Sequence, residues 1–183
     1  MVNGVVYVGT RASIGIQALG VYAFDAAGMT NCSGTPKTCA PMWVGITGSS
    51  AGSTSSSPAV ANGVVYVGRD DGKLYAFDAA GGPNCFRPYC LSLWSTTTGT
   101  TGGLMLSSPA VANGIVYVGS QDSKLYAFDA AGTTSCSGAP KTCTSLWTAT
   151  TGGVVLSSPT VVNGVVYVAS DDGKLHAFGL APV

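Results

Sequence analysis

Three observations predict an all-β chain built from repeated, four-stranded antiparallel units. Asn-Gly stands at Asn3-Gly4, Asn62-Gly63, Asn113-Gly114 and Asn163-Gly164, each time between apolar, β-branched segments. Each copy runs on into Val-Val-Tyr-Val or Ile-Val-Tyr-Val, and then into a segment of the type Leu-Tyr-Ala-Phe. No stretch sustains a helical period, and the glycine and β-branched content opposes one.

The first two strands of each unit follow from the Asn-Gly pair. A two-residue type I′ turn needs positive φ at both central positions, which Asn and Gly tolerate best, so each pair predicts a tight hairpin. Pro-Ala-Val-Ala or Pro-Thr-Val-Val precedes three of the four pairs and supplies the first strand there. A second turn at Asp71-Gly72, Asp122-Ser123 and Asp172-Gly173 then leads into the third strand at Lys73, Lys124 and Lys174. In the first unit a longer insertion, Thr10 to Gly20, replaces this turn before Val21-Tyr22-Ala23-Phe24.

Beyond the third strand come Asp25, Asp78 or Asp129 with Ala-Ala-Gly, then a loop with two cysteines, then a fourth strand carrying Trp43, Trp94 or Trp147. Four short strands in about fifty residues read as a propeller blade, which buries both faces only when neighbours stack on it. The expected blades are 1–55, 56–106, 107–156 and 157–183, the first without its opening strand and the last without its Trp strand. Met1-Val2-Asn3-Gly4 reads as the middle of a repeat, so a longer natural chain is expected.

Composition narrows the function classes. Eight basic and eight acidic residues cancel, and charged residues are 9% of the chain, far below the roughly 25% of an ordinary domain. Nucleic acid and anionic membranes are therefore not expected partners. Although 46% of residues are hydrophobic, Gly, Asn, Ser or Asp interrupts every apolar run before the ~18 residues that a spanning helix needs.

Ser-Ser-Pro-Ala-Val-Ala-Asn-Gly-Val-Val-Tyr-Val-Gly, then Asp-Gly-Lys-Leu-Tyr-Ala-Phe-Asp-Ala, then Leu-Trp, closely resembles the blade repeat of the pyrroloquinoline-quinone-like β-propellers. The resemblance covers almost the whole chain. It implies rings of usually seven or eight blades, and docking of Trp43, Trp94 and Trp147 between blades. That family holds quinone-dependent alcohol dehydrogenases, a barrel-assembly lipoprotein of the bacterial outer membrane, and secreted members without enzymatic role. In its dehydrogenases a quinone and a calcium ion sit on the axis with a catalytic aspartate and, typically, a disulfide between adjacent cysteines. Here no two cysteines are adjacent, and each Asp stands at a turn or a strand end. The family's tight turn before the Trp strand is replaced by the cysteine-bearing loop, which leaves the geometry of the three tryptophans open.

The cysteines fall as Cys32 and Cys39, Cys85 and Cys90, and Cys136 and Cys143, one pair per loop. The repetition predicts pairing within each loop, with about 2–3 kcal/mol of stabilisation each. Metal binding is the competing reading, but no pair has Cys-x-x-Cys spacing and His176 is the only histidine. Disulfides predict a periplasmic, cell-surface or extracellular location.

The remaining polar residues read as structural. His176 stands where Tyr22, Tyr75 and Tyr126 stand, and no motif supplies an orienting carboxylate or a nucleophile. Asp70-Asp71-Gly72 and Asp171-Asp172-Gly173 lack the twelve-residue calcium pattern, and the copy at Gln121-Asp122-Ser123 has lost a carboxylate. Asp25, Asp78 and Asp129 are expected to accept following backbone amides. The serines before Pro58, Pro109 and Pro159 have no nucleophile-elbow context and are expected to satisfy backbone groups.

The sequence therefore predicts a non-enzymatic scaffold without cofactor or metal, for protein interaction or self-assembly into a ring or filament. Homo-oligomerisation or further blades of a longer chain would complete it. A fragment of a quinone-dependent dehydrogenase is one alternative. A carbohydrate- or peptide-binding module, with Arg11, Arg69, Arg87 and Tyr89 as exposed loop candidates, is another.

Overall fold

The computed structural model describes residues 1–10, 20–48, 53–99 and 105–179. The first unit contains β1 (Val5–Gly9), β2 (Gly20–Asp25), β3 (Cys32–Ser33), β4 (Thr38–Cys39) and β5 (Trp43–Ile46). The second contains β6 (Ala59–Ala61), β7 (Val64–Gly68), β8 (Lys73–Asp78), β9 (Cys85–Phe86), β10 (Tyr89–Cys90) and β11 (Trp94–Thr97). The third contains β12 (Ala110–Ala112), β13 (Ile115–Ser120), β14 (Lys124–Asp129), β15 (Cys136–Ser137), β16 (Thr142–Cys143) and β17 (Trp147–Thr150). The fourth contains β18 (Thr160–Val162), β19 (Val165–Ser170) and β20 (Lys174–Gly179). The insertion predicted after Thr10 lies largely outside the described residues.

The turns have the conformations that their residues favour. Asn62, Asn113 and Asn163 have φ of 50°, 51° and 49°, and the glycines after them 76°, 75° and 74°, so both central positions are left-handed. Ser123 takes φ 64° where the equivalent Gly72 and Gly173 take 77°.

Within each blade, neighbouring strands pair antiparallel in chain order, as in β6-β7-β8-β11 and β12-β13-β14-β17. The expected four-stranded unit is incomplete as a description, because the cysteine loops are themselves strands. β9–β10 and β15–β16 form short hairpins, and each adds to the blade before its own. Tyr89 and Cys90 pair in parallel with Val44 and Gly45, and Thr142 pairs in parallel with Ser95. These additions give a five-stranded and a six-stranded sheet, whereas among the described residues β3–β4 pairs only with itself.

The core lies between blades. Val21, Ala23 and Trp43 meet Val65, Val67, Tyr75 and Phe77 across the first seam. Tyr66, Leu74 and Trp94 meet Val116, Val118, Tyr126 and Phe128 across the second. Tyr117, Leu125 and Ala127 meet Val166 and Val168 across the third. Alternation along each strand thus presents one apolar set to the preceding blade and another to the following one.

Candidate functional site

Serines that recur from blade to blade bond to the backbone of the fold. Ser56 Oγ donates to the Gly68 carbonyl at 3.3 Å and accepts the Gly68 amide at 2.7 Å, and Ser157 does the same with Ala169. Ser107 Oγ accepts the Gly119 amide and donates to the Ser157 carbonyl. The next serines link blades, since the Ser57 amide donates to Ser108 Oγ and the Ser108 amide to Ser158 Oγ. Each first strand is thereby fixed to its own second strand and to its neighbour.

Asp25 and Asp129 hold the start of the cystine loops. Asp25 accepts the amides of Ala27, Met29 and Thr30, which bring its carboxyl down to about 2. At Asp129, partial desolvation acts upward, but the Thr134, Thr133 and Ala131 amides and the Thr133 hydroxyl outweigh it and bring the carboxyl to about 2 as well. Asp78 accepts the Ala80 amide at 2.8 Å in its differently built loop.

The loops then close as cystines, with S–S distances of 2.01, 1.90 and 1.96 Å for Cys32–Cys39, Cys85–Cys90 and Cys136–Cys143. Hairpin tips fold back in the first and third copies, where Lys37 Nζ donates to the Gly28 carbonyl and Lys141 Nζ to that of Gly132. The docked hairpins bury Cys90 and Cys143 to 3% exposure, whereas Cys39 of the undocked first hairpin is exposed.

The second hairpin departs from the other two. Cys-Phe-Arg-Pro-Tyr-Cys replaces Cys-Ser-Gly-x-Pro-Lys-Thr-Cys. One register row across the first sheet therefore reads Val8, Tyr22, Val44, Tyr89, Phe86. The same row in the second sheet reads Val67, Tyr75, Ser95, Thr142, Ser137. Phe86 at 74% and Tyr89 at 45% exposure, with Leu91 at 52%, make an aromatic outer edge where the next blade has hydroxyls.

Trp43 and Trp94 lie at the seams. Trp43 Nε1 donates to the Ala79 carbonyl and Trp94 Nε1 to that of Ala130, both at 3.3 Å. The Tyr7 and Tyr66 hydroxyls reach the same two oxygens at 3.0 and 2.9 Å. Burial, with the Asp129 charge nearby, pushes Tyr66 up to about 12. Trp147 is half-buried, its ring centroid 5.9 Å from that of Tyr117.

Arg69 is not an exposed loop candidate. It is 1% exposed, donating to the Thr47 carbonyl at 2.9 Å and to Asp71 Oδ2 at 3.0 Å. It follows β7 where Ser120 and Ser170 end the equivalent strands, and its guanidinium turns under the preceding blade against Gly48. Arg87 lies in the aromatic hairpin beside Tyr89, and Arg11 lies outside the described residues.

His176 has an orienting carboxylate that sequence reasoning missed. Its Nε2 stands 3.0 Å from Asp172 Oδ2, and desolvation of Asp172 is outweighed by this contact and the Lys174 amide, so its carboxyl is lowered. The signal was a spacing of four across the second turn, because Tyr126 likewise donates its hydroxyl to Asp122. The pair is thus a variant of a turn contact. Among the described residues, no group of three or more His, Cys, Asp or Glu could hold a metal, and no helix is long and apolar enough to cross a membrane.

The family model described as outer membrane protein assembly factor BamB matches residues 20–137 and 92–180. The chain belongs to that PQQ-like β-propeller repeat family. No curated protein matches. Among solved structures, BamB from Moraxella catarrhalis is 21% identical with a TM-score of 0.64, over 97% of this chain and 46% of that one. The computationally designed Ika8 protein is 14% identical with a TM-score of 0.64, over 98% and 44%. The designed Ika4 protein is 14% identical with a TM-score of 0.60, over 96% and 92%. The chain thus spans about half the length of the first two and nearly all of the third, and at these identities the likeness is one of fold.

Proposed function

We propose that this repeat-family chain is a non-catalytic β-propeller scaffold for protein interaction, working in the periplasm, at the cell surface or outside the cell. One observation carries the reading: Ser56, Ser107 and Ser157, Asp25 and Asp129, Tyr7 and Tyr66, and Trp43 and Trp94, all copies of residues that recur from blade to blade, are bonded to backbone groups of the fold. The three cystines favour an oxidising compartment. Kinship with an assembly factor favours protein partners over a substrate.

The test is affinity capture from a cell-envelope fraction, using the immobilised oxidised protein and the same protein after reduction as control. A partner retained stoichiometrically by the oxidised form alone is expected. Turnover of an alcohol by protein loaded with quinone and calcium would instead establish the dehydrogenase reading.

A second reading, binding of a glycan or an extended peptide, is favoured by the aromatic edge of Phe86, Tyr89 and Leu91. Aromatic side chains offer large contact area at low entropic cost. Binding to a glycan or peptide array that is lost in Phe86→Ser/Tyr89→Thr, the residues of the third hairpin, would support it.

A further inference from the structure

The second cystine hairpin differs from the other two at its tip as well as along its edge. Lys37 and Lys141, the tip cations of the first and third hairpins, fold back onto the Gly28 and Gly132 carbonyls at 2.9 and 3.0 Å. Arg87 is the tip cation of a tighter loop, whose cysteines are 5 residues apart rather than 7. It is exposed, and among the described residues it has no hydrogen bond or ion pair. From Gly82 to Leu93 the sequence has no Asp or Glu, so nothing within the loop neutralises it.

Large apolar side chains surround the free guanidinium. Phe86 stands where the other hairpins have Ser33 and Ser137, Tyr89 where they have Thr38 and Thr142, and Leu91 where they have Ala40 and Thr144. All three are exposed, and not because a seam is unfilled. The third hairpin docks in the same way on the second blade, against which the first blade packs, and Ser137 and Thr142 are exposed there too. The tip is also fixed in place, since the Pro88 carbonyl accepts the Val44 amide at 2.7 Å and the cystine is anchored by a Cys90 that is 3% exposed. A surface held in this way loses little entropy on binding.

We propose that Phe86, Arg87, Tyr89 and Leu91 form the contact surface for a partner protein, and that they take an exposed segment with an Asp or Glu carboxylate beside a large apolar side chain. Charge complementarity gives the chemistry of the segment, because a guanidinium with free donors matches a carboxylate fork to fork. The residue types favour a protein as its source, since Phe, Tyr and Arg are enriched in protein interfaces, and Tyr and Arg among the residues that carry their binding energy. The inference rests on the scaffold reading, to which it supplies the docking surface.

Binding of the full, oxidised chain to an array of short synthetic peptides tests it, with Arg87→Gln and Phe86→Ser/Tyr89→Thr beside the wild type and a glycan array that includes uronic acids run in parallel. The wild type should retain peptides in which Asp or Glu adjoins Leu, Phe or Tyr, and each variant should bind those peptides at least about tenfold more weakly. Added salt should weaken the wild type and leave Arg87→Gln unaffected. An intact Cys85–Cys90 cystine and unchanged near-ultraviolet circular dichroism from the Tyr66–Trp94 seam establish that a variant is folded. No peptide bound more tightly than about 1 mM, no preference for acidic peptides, or equal binding by a folded variant would overturn the proposal. Retention of glycans alone would overturn it as well, and would assign the surface to a glycan. An envelope partner captured equally by the wild type and Arg87→Gln would leave the scaffold reading standing and remove the hairpin from it. The expected peptide selection without any envelope partner would support the hairpin surface and count against the scaffold reading.

Discussion

Trp94 donates its indole N–H across a blade seam to the backbone carbonyl of Ala130, 3.3 Å away and 36 residues along the chain. The Tyr66 hydroxyl donates to the same oxygen at 2.9 Å, and the two rings lie tilted at a centroid distance of 6.0 Å. The carbonyl belongs to a residue only 6% exposed, so these two donors are its protein partners.

Tyr66→Phe is therefore expected to cost about 1 kcal/mol, because Trp94 still satisfies the oxygen. Trp94→Phe should cost about 1–2 kcal/mol, with lost volume added to the lost hydrogen bond. The double variant should exceed the sum by about 1 kcal/mol or more, since a buried carbonyl is then left without a donor. Urea unfolding of the four proteins measures the coupling, and strict additivity would show that the shared acceptor contributes nothing.

How much of this was legible in the sequence depends on distance along the chain. The hairpin turns were legible because Asn-Gly has few other uses between β-branched runs, and the cystine pairing because each loop holds one pair. The parallel docking of Tyr89 on Val44 and of Thr142 on Ser95 was not, since it depends on two strands about 45 residues apart meeting at a blade's outer edge. Arg69 was misread for the same reason: its acceptor, the Thr47 carbonyl, belongs to another blade. The contact of Asp172 with His176 was local and could have been found by comparing Asp122 with Tyr126.

The three cystines are expected to differ in resistance to reduction. Attack by a small thiol needs access to sulfur, and Cys39 is exposed whereas Cys90 and Cys143 are 3% exposed beneath docked hairpins. Limited reduction followed by alkylation and peptide mass spectrometry should label Cys32 and Cys39 first. Equal labelling of all six would contradict the docking of the second and third hairpins.

Acid should weaken the fold through Asp129. Its folded carboxyl titrates near 2, below its ordinary value near 4, so its contribution is complete above about pH 4. That contribution is lost as the pH falls from about 4 towards 2, because the unfolded chain takes up the proton first. Thermal melts across this range should show a steeper fall for the wild type than for Asp129→Asn, which cannot titrate. Parallel curves would remove the carboxylate from the account.

The alanine variants of Gly28 and Gly132 separate backbone strain from seam packing. Both glycines sit at the same turn after the third strand, with φ of 62° and 63°, so alanine meets the same left-handed penalty of about 1 kcal/mol at either. A β-carbon at Gly28 finds only Lys37 Cδ at 3.9 Å, whereas one at Gly132 would lie within 2.1 Å of Trp94 Cδ1. Relief at Gly132 requires the indole to leave its place, and with it the Ala130 oxygen. Gly132→Ala should therefore destabilise by about 1–3 kcal/mol more than Gly28→Ala, with a change in Trp fluorescence that Gly28→Ala lacks. Equal costs would mean that the seam yields at Trp94 without resistance.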